Sequence, residues 1–216
     1  MPDHQPEKIE FDGWHFRIQY PHQDAQKTRV MLLFHGYEGN ENVMWVLTRP
    51  LPDNYLLIAL RAPIQHSKNQ YVWHEIASQW PNIDVYRQFS DQLLITVDHW
   101  LKKQDIHSDK YDLMGFSQGA VVAYALAFLQ PDRINRVAAL AGFIPYAWQA
   151  QIDGNVIKNK RFFIAHGTKD EIIPITKAHQ AAAFLRKNNA QITFCEAEIG
   201  HKLSSNCFSG LGAFFA

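Results

Sequence analysis

The sequence predicts an α/β fold in which a mostly parallel sheet carries helices on both faces. Three observations carry that prediction. Short, nearly continuous apolar runs recur along the 216 residues, as strands buried on both faces require. Stretches of helical length and pattern separate them, so strand and helix alternate. Hydrophobic residues make up 47% of the chain, enough to fill one large core. A single domain over residues 1–216 follows.

In chain order, residues 1–12 are polar and read as a loose lead-in. They contain no apolar segment of the kind a secretory signal needs. WHFRIQY (14–20) alternates polar and apolar positions and reads as an antiparallel edge strand. RVMLLF (29–34), YLLIAL (55–60), YDLMGF (111–116), RVAALAG (136–142), RFFIAHG (161–167) and ITFCEAE (192–198) read as buried strands. Residues 84–104 place Tyr86, Phe89, Leu93, Val97, Trp100 and Leu101 at helical spacing on one stripe. Residues 118–129 are apolar nearly all round, as expected for a helix against the sheet centre. Pro174 suits the first position of a helix running to about Lys187, and residues 203–216 predict a last short helix. Two stretches break the alternation: 61–82, with Trp73 and Trp80, and 143–159. Loops of that length inside a compact domain tend to be functional.

The charge balance narrows the partners. Lys plus Arg and Asp plus Glu each number 21, so nothing favours nucleic acid or an anionic membrane. The longest unbroken apolar run, 120–129, is too short to cross a bilayer. Cys195 and Cys207 lie in no metal or CxxC pattern. They are expected as free thiols in a reducing, cytoplasmic setting. No GxxxxGK[ST] or GxGxxG occurs, and His74-Glu75 continues as Ile-Ala-Ser, so HExxH is absent as well. The expected site therefore holds no metal and no cofactor, and its partner is a small molecule. Monomer and homodimer both stay open.

GFSQG (115–119) supplies the chemistry. A G-x-S-x-G turn between a strand and a helix mounts its serine on a sharp corner, facing the positive end of the helix. A serine nucleophile needs a base, and the base needs an orienting acid. In this arrangement the chain order is serine, acid, histidine. His201 follows the last strand and fits the base. His166 precedes the acids, and His179 falls inside a helix, on its surface. Asp170 in HGTKDEIIP fits the acid, with Glu171 as the alternative, while Asp153 comes too early. Acyl transfer also needs an oxyanion hole. The backbone N–H of Gln118, directly after Ser117, and that of Tyr37, in the loop after strand 29–34, are the expected donors. At Gln118 the backbone is expected to matter more than the side chain.

Taken together, FHGYEGNEN, GFSQGA, LAGFIP, HGTKDEIIP and GHKLS resemble the phospholipase/carboxylesterase family of α/β-hydrolases, which includes the acyl-protein thioesterases. The resemblance runs from Arg29 onward. It implies the α/β-hydrolase fold without a large lid, with Ser117, Asp170 and His201 as the triad and Tyr37 and Gln118 as the oxyanion donors. It implies that Trp73 stands near the site and that Phe143 and Ile144 border the acyl pocket; Tyr37, Ile173 and Leu203 are further candidates for the wall of an apolar acyl slot. Two departures stand out: Ala141 replaces the family's common serine, and Tyr37-Glu38-Gly39 replaces Leu-Gly-Asp. The implied reaction is hydrolysis of esters or thioesters of small to medium acyl chains through an acyl-serine. The rival readings are a lactone or amide hydrolase on the same frame, and a non-catalytic binding protein that kept the fold.

Overall fold

The computed structural model describes residues 6–21, 28–76 and 80–216. Its central feature is an eight-stranded sheet. The strands contributing to it are β1 (Glu7–Phe11), β2 (Trp14–Gln19), β3 (Arg29–Phe34), β4 (Tyr55–Leu60), β7 (Tyr111–Phe116), β8 (Ile134–Leu140), β9 (Arg161–Gly167) and β10 (Gln191–Ala197). Their spatial order is β1-β2-β4-β3-β7-β8-β9-β10. From β4 to β10 all neighbours are parallel, while β1 and β2 attach antiparallel at one end.

Side-chain alternation along the central strands explains the two cores. In β3, Val30, Leu32 and Phe34 face one core, and Met31 and Leu33 face the other. The first core is covered by helices α1 (Val85–Lys103), α2 (Gln118–Leu129) and α3 (Ile175–Lys187). The second is covered by α4 (Ser205–Phe215) and a short 3₁₀ turn at Met44–Leu47. Helices thus flank both faces, unequally. Helix α2 lies against the sheet centre, with Gln118 through Phe128 all buried, which accounts for a segment apolar nearly all round.

The C-terminal end of α4 is held from beneath by arginines. Arg29 donates to the Phe215 carbonyl at 2.6 Å, and Arg136 donates to that of Phe214 at 2.9 Å. These cations meet the carbonyls that a helix leaves unsatisfied at its C-terminus. Asp112, nearly buried, pairs with both arginines at 3.1 Å and accepts from the Tyr55 hydroxyl, so its buried charge is compensated.

Four expectations need correction. The lead-in is not loose throughout: residues 7–11 form β1, paired with β2 from Glu7↔Ile18 to Phe11↔Trp14. Residues 1–5 lie outside the described residues. Consequently β2 is not the edge strand, and β1 takes that place. The segment 61–82 is not all loop, because β5 (Ile64–Ser67) and β6 (Gln70–Val72) form a small hairpin. Finally, Cys195 and Cys207 are not free thiols. They form a disulfide that joins β10 to the first turn of α4, 12 residues apart. Their pairing is tertiary, so no local motif announces it.

Candidate active site

The corner at Ser117 is built by a sharply turned backbone that its two flanking glycines make room for. Ser117 sits at φ 53°, ψ -118°, a conformation rare for a residue with a side chain. The turn brings backbone onto backbone at both flanking glycines. A Cβ on Gly115 would lie 2.1 Å from the Gly119 carbonyl oxygen, and one on Gly119 would lie 2.1 Å from that of Phe34. The strained corner is secured by neighbours, with the Ser117 N–H donating to Leu140 O at 2.8 Å. Helix α2 begins at Gln118, so its N-terminal dipole is aimed at this corner.

The loop after β3 abuts the serine. A Cβ on Gly36 would stand 3.4 Å from Ser117 Cβ. The Gly39 N–H donates to Gly36 O at 3.1 Å, closing a turn over Tyr37 and Glu38, the latter at φ 57°. Buried His35 braces this turn from behind. Its Nδ1–H donates to Gly36 O at 2.7 Å, and its Nε2 accepts from the Ala62 N–H at 3.1 Å. Burial lowers its pKa to about 4, so it serves as a neutral strut. Glu41 pins the far end of the loop with a two-pronged contact to Arg61, at 2.7 and 2.8 Å. Burial alone would raise the Glu41 pKa, but the Arg61 hydrogen bonds and charge overcome it and lower it to about 2.

On the other side of the serine, His201 and Asp170 meet. His201 Nδ1 lies 2.7 Å from Asp170 Oδ2. The Asp170 Oδ1 accepts the backbone N–H groups of Ile172 and Ile173 at 3.0 and 2.9 Å. Burial pushes this carboxyl up, yet the Ile173 and Ile172 N–H groups and His201 together hold it below its ordinary value. Glu171, the alternative acid, is exposed. His166, set aside on chain order, belongs to this group: its Nε2 lies 2.7 Å from Ile173 O and 3.3 Å from Asp170 Oδ2. Only the i,i+4 spacing in HGTKD hints at this.

Ser117 and His201 open onto one cavity of about 500 Å³. Its wall is mainly apolar, with Ile76, Trp80, Phe116, Phe143, Ile172 and Ile173 prominent. Tyr37, Gln118, Phe143 and Ile173 stand on the wall as the sequence reading expects. Trp73, Ile144 and Leu203 are not among the described wall residues. Trp73 is buried behind the wall, where its indole N–H donates to His35 O at 2.7 Å, and the tryptophan facing the cavity is Trp80. Two tryptophans in one segment are indistinguishable by pattern. Ile144 packs in the first core, and Leu203 packs against the second. The Gln118 side chain, expected to matter little, is a clasp. Its Oε1 accepts the Trp73 N–H at 2.9 Å, and its Nε2 donates to His74 O at 2.8 Å.

Comparison with known proteins places the chain in a family. Residues 15–215 match the family model described as phospholipase/carboxylesterase. Esterase YpfH of Escherichia coli (strain K12) is 24% identical over 204 residues, covering 88% of this chain and 82% of the relative. An acyl-protein thioesterase 1 of Debaryomyces hansenii is 30% identical over 107 residues, covering 49% of this chain and 46% of the relative. Among solved structures, the Bacillus cereus carboxylesterase superposes with a TM-score of 0.80 at 19% identity, covering 94% of each chain. A carboxylesterase from Mesorhizobium loti gives 0.78 at 16% identity over 93% of each. The chain belongs to the phospholipase/carboxylesterase family, α/β-hydrolases that cleave ester bonds as serine hydrolases.

Proposed function

We propose that the chain hydrolyses esters or thioesters of small to medium acyl chains, with Ser117 as nucleophile, His201 as base and Asp170 as its orienting acid. The observation that carries this reading is the 2.7 Å contact of His201 with Asp170, in a cavity that also holds the strained Ser117. His201 takes the Ser117 proton as the hydroxyl oxygen attacks the acyl carbonyl carbon. The backbone N–H groups of Tyr37 and Gln118 hold the developing oxyanion. His201 then protonates the departing alcohol or thiol. It next removes a proton from water, whose oxygen attacks the acyl carbon; the bond from that carbon to the Ser117 oxygen breaks, His201 returns the proton to Ser117, and the acid departs. Asp170 fixes the imidazole orientation and balances its charge. Among the described residues no inserted domain covers the cavity, and its volume suits a medium acyl chain better than a long one.

The test is Ser117→Ala assayed on 4-nitrophenyl hexanoate. Loss of kcat by several orders of magnitude is expected, with an unchanged circular dichroism spectrum. Turnover within tenfold of the parent would refute the assignment. A fluorophosphonate probe separates the rival binding role, since a non-catalytic protein would form no adduct at Ser117. A cytoplasmic location, expected from the sequence, is tested by fractionation together with the thiol state of Cys195 and Cys207.

A further inference from the structure

His74 lies on the cavity wall beside Ser117, and its hydrogen bonds define which of its nitrogens carries the proton. Two groups address Nδ1. The Tyr86 hydroxyl lies at 2.9 Å and the Gln118 Nε2 at 3.3 Å. The Gln118 amide is oriented by its other end, because Oε1 accepts the Trp73 N–H at 2.9 Å. Its Nε2 is therefore the donor, which suits the 2.8 Å contact with His74 O. The Tyr86 hydroxyl is kept protonated by burial, which raises its pKa, and His74 is the acceptor within its reach. Both neighbours thus donate to Nδ1, so Nδ1 has no proton. Burial also lowers the His74 pKa to about 4, so the ring is neutral at pH 7 and its one proton sits on Nε2.

No partner among the described residues takes that Nε2–H, nor is Nε2 among their buried unsatisfied atoms. The ring is fixed in place: Trp80 meets it edge to face at 4.1 Å, and Trp80 meets Phe143 in turn at 4.9 Å. His74, Trp80 and Phe143 form one continuous wall of a mainly apolar cavity, whose other polar lining residues are Tyr37, Ser117, Gln118, Lys177 and His201. A donor held in a fixed orientation on such a wall distinguishes an oxygen from a methylene in a bound chain.

We propose that His74 is a specificity-determining residue whose Nε2–H hydrogen-bonds an oxygen within the acyl chain, so that the preferred substrates are esters of oxygen-bearing acids. This rests on the ester-hydrolase reading above. It adds to that reading a substrate class, acids with an ether, keto or hydroxyl oxygen beyond the scissile carbonyl.

The experiment compares 4-nitrophenyl esters of equal length: hexanoate, 3-ethoxypropanoate and 4-methoxybutanoate, which replace one methylene by oxygen at successive positions. The full-length enzyme should favour at least one oxygen-bearing ester over hexanoate by about two- to tenfold in kcat/KM, the range of one neutral hydrogen bond. His74→Asn keeps an acceptor near Nδ1 and removes the Nε2 donor, so the ratio of the oxygen-bearing ester to hexanoate should fall to about one, whatever the change in hexanoate turnover itself. His74→Gln keeps a donor near Nε2 and should restore part of the preference. A third arm compares butyl and 2-methoxyethyl hexanoate: a preference confined to the oxygen-bearing alcohol would overturn the placement on the acyl side. No preference in the parent enzyme, a preference that survives in His74→Asn, or an equal fall on all esters would each overturn the proposal. Failure of every ester, hexanoate included, would instead overturn the hydrolase reading.

Discussion

Gly119→Ala tests whether the corner at Ser117 is set by close backbone approach. The new Cβ would meet Phe34 O at 2.1 Å and His35 O at 2.5 Å. Ordinary contact begins near 3.4 Å, so the first helical turn of α2 and the end of β3 must part by about 1 Å. Both struck atoms are backbone, so no rotamer change relieves the contact. They also lead directly into Gly36 and Tyr37, so the parting separates Ser117 from the proposed oxyanion loop. A displacement of that size at reacting groups costs on the order of 10²-fold in kcat. Overpacking of about 1–3 kcal/mol should accompany it, lowering Tm by roughly 2–10 °C in a domain of this size. The assay is kcat on 4-nitrophenyl hexanoate alongside thermal melting followed by circular dichroism. Gly210→Ala is the control, since its Cβ would meet only Phe163 ring atoms, at 3.4 and 3.6 Å, in α4. It should keep full activity and melt at the same temperature or slightly higher. A Gly119→Ala enzyme with kcat within threefold of the parent would refute the reasoning.

Two further predictions concern stability. Glu41, lowered to about 2 in the folded state, stabilises fully above its unfolded pKa near 4.5, and that contribution is lost as pH falls through about 2. Glu41→Gln should therefore cost on the order of 2 kcal/mol at pH 7. The gap from the parent in urea titrations should shrink steadily below pH 4.5, and a gap that stays constant down to pH 2.5 would contradict the assignment. The Cys195–Cys207 bridge closes a short loop that carries His201. Its removal by reductant or by Cys207→Ser should cost about 3 kcal/mol and lower Tm by roughly 5–10 °C, and identical melting with and without dithiothreitol would exclude the bridge.

The parts of the fold legible in the sequence are those where one physical demand dominates. Strands β3, β4, β7, β8 and β9 are buried on both faces over most of their length, so each is mainly apolar and each shows as a run. The corner at Ser117 shows because close backbone approach demands glycine at two fixed positions. Strand β1 did not show, because an edge strand of sequence EKIEF satisfies only one partner and leaves most side chains exposed. The hairpin β5–β6 did not show for a similar reason, since IQHS is exposed at every position. At the site, the order of Ser117, Asp170 and His201 was readable because each follows a recognisable strand. The work of His166, His74 and the Gln118 side chain was not, because it depends on which residues distant in sequence face one another. Trp73 and Trp80 illustrate the same limit: composition announces two large rings, and only the backbone path decides which one faces the cavity.

Asp170 uses one oxygen for His201 and the other for the N–H groups of Ile172 and Ile173, two residues of the cavity wall. The carboxylate that orients the proposed base is thus also the peg on which one side of the pocket hangs. Substitutions there that shift the backbone disturb the orientation of the proposed base together with the fit, which constrains that wall against adaptation. The wall from His74 through Trp80 to Phe143 makes no contact with Asp170 or His201 among the described hydrogen bonds and is tied to the site by the Gln118 clasp. New substrate ranges should therefore emerge there, and saturation libraries aimed at positions 74, 76, 80 and 143 should keep more active members than those aimed at 172 and 173.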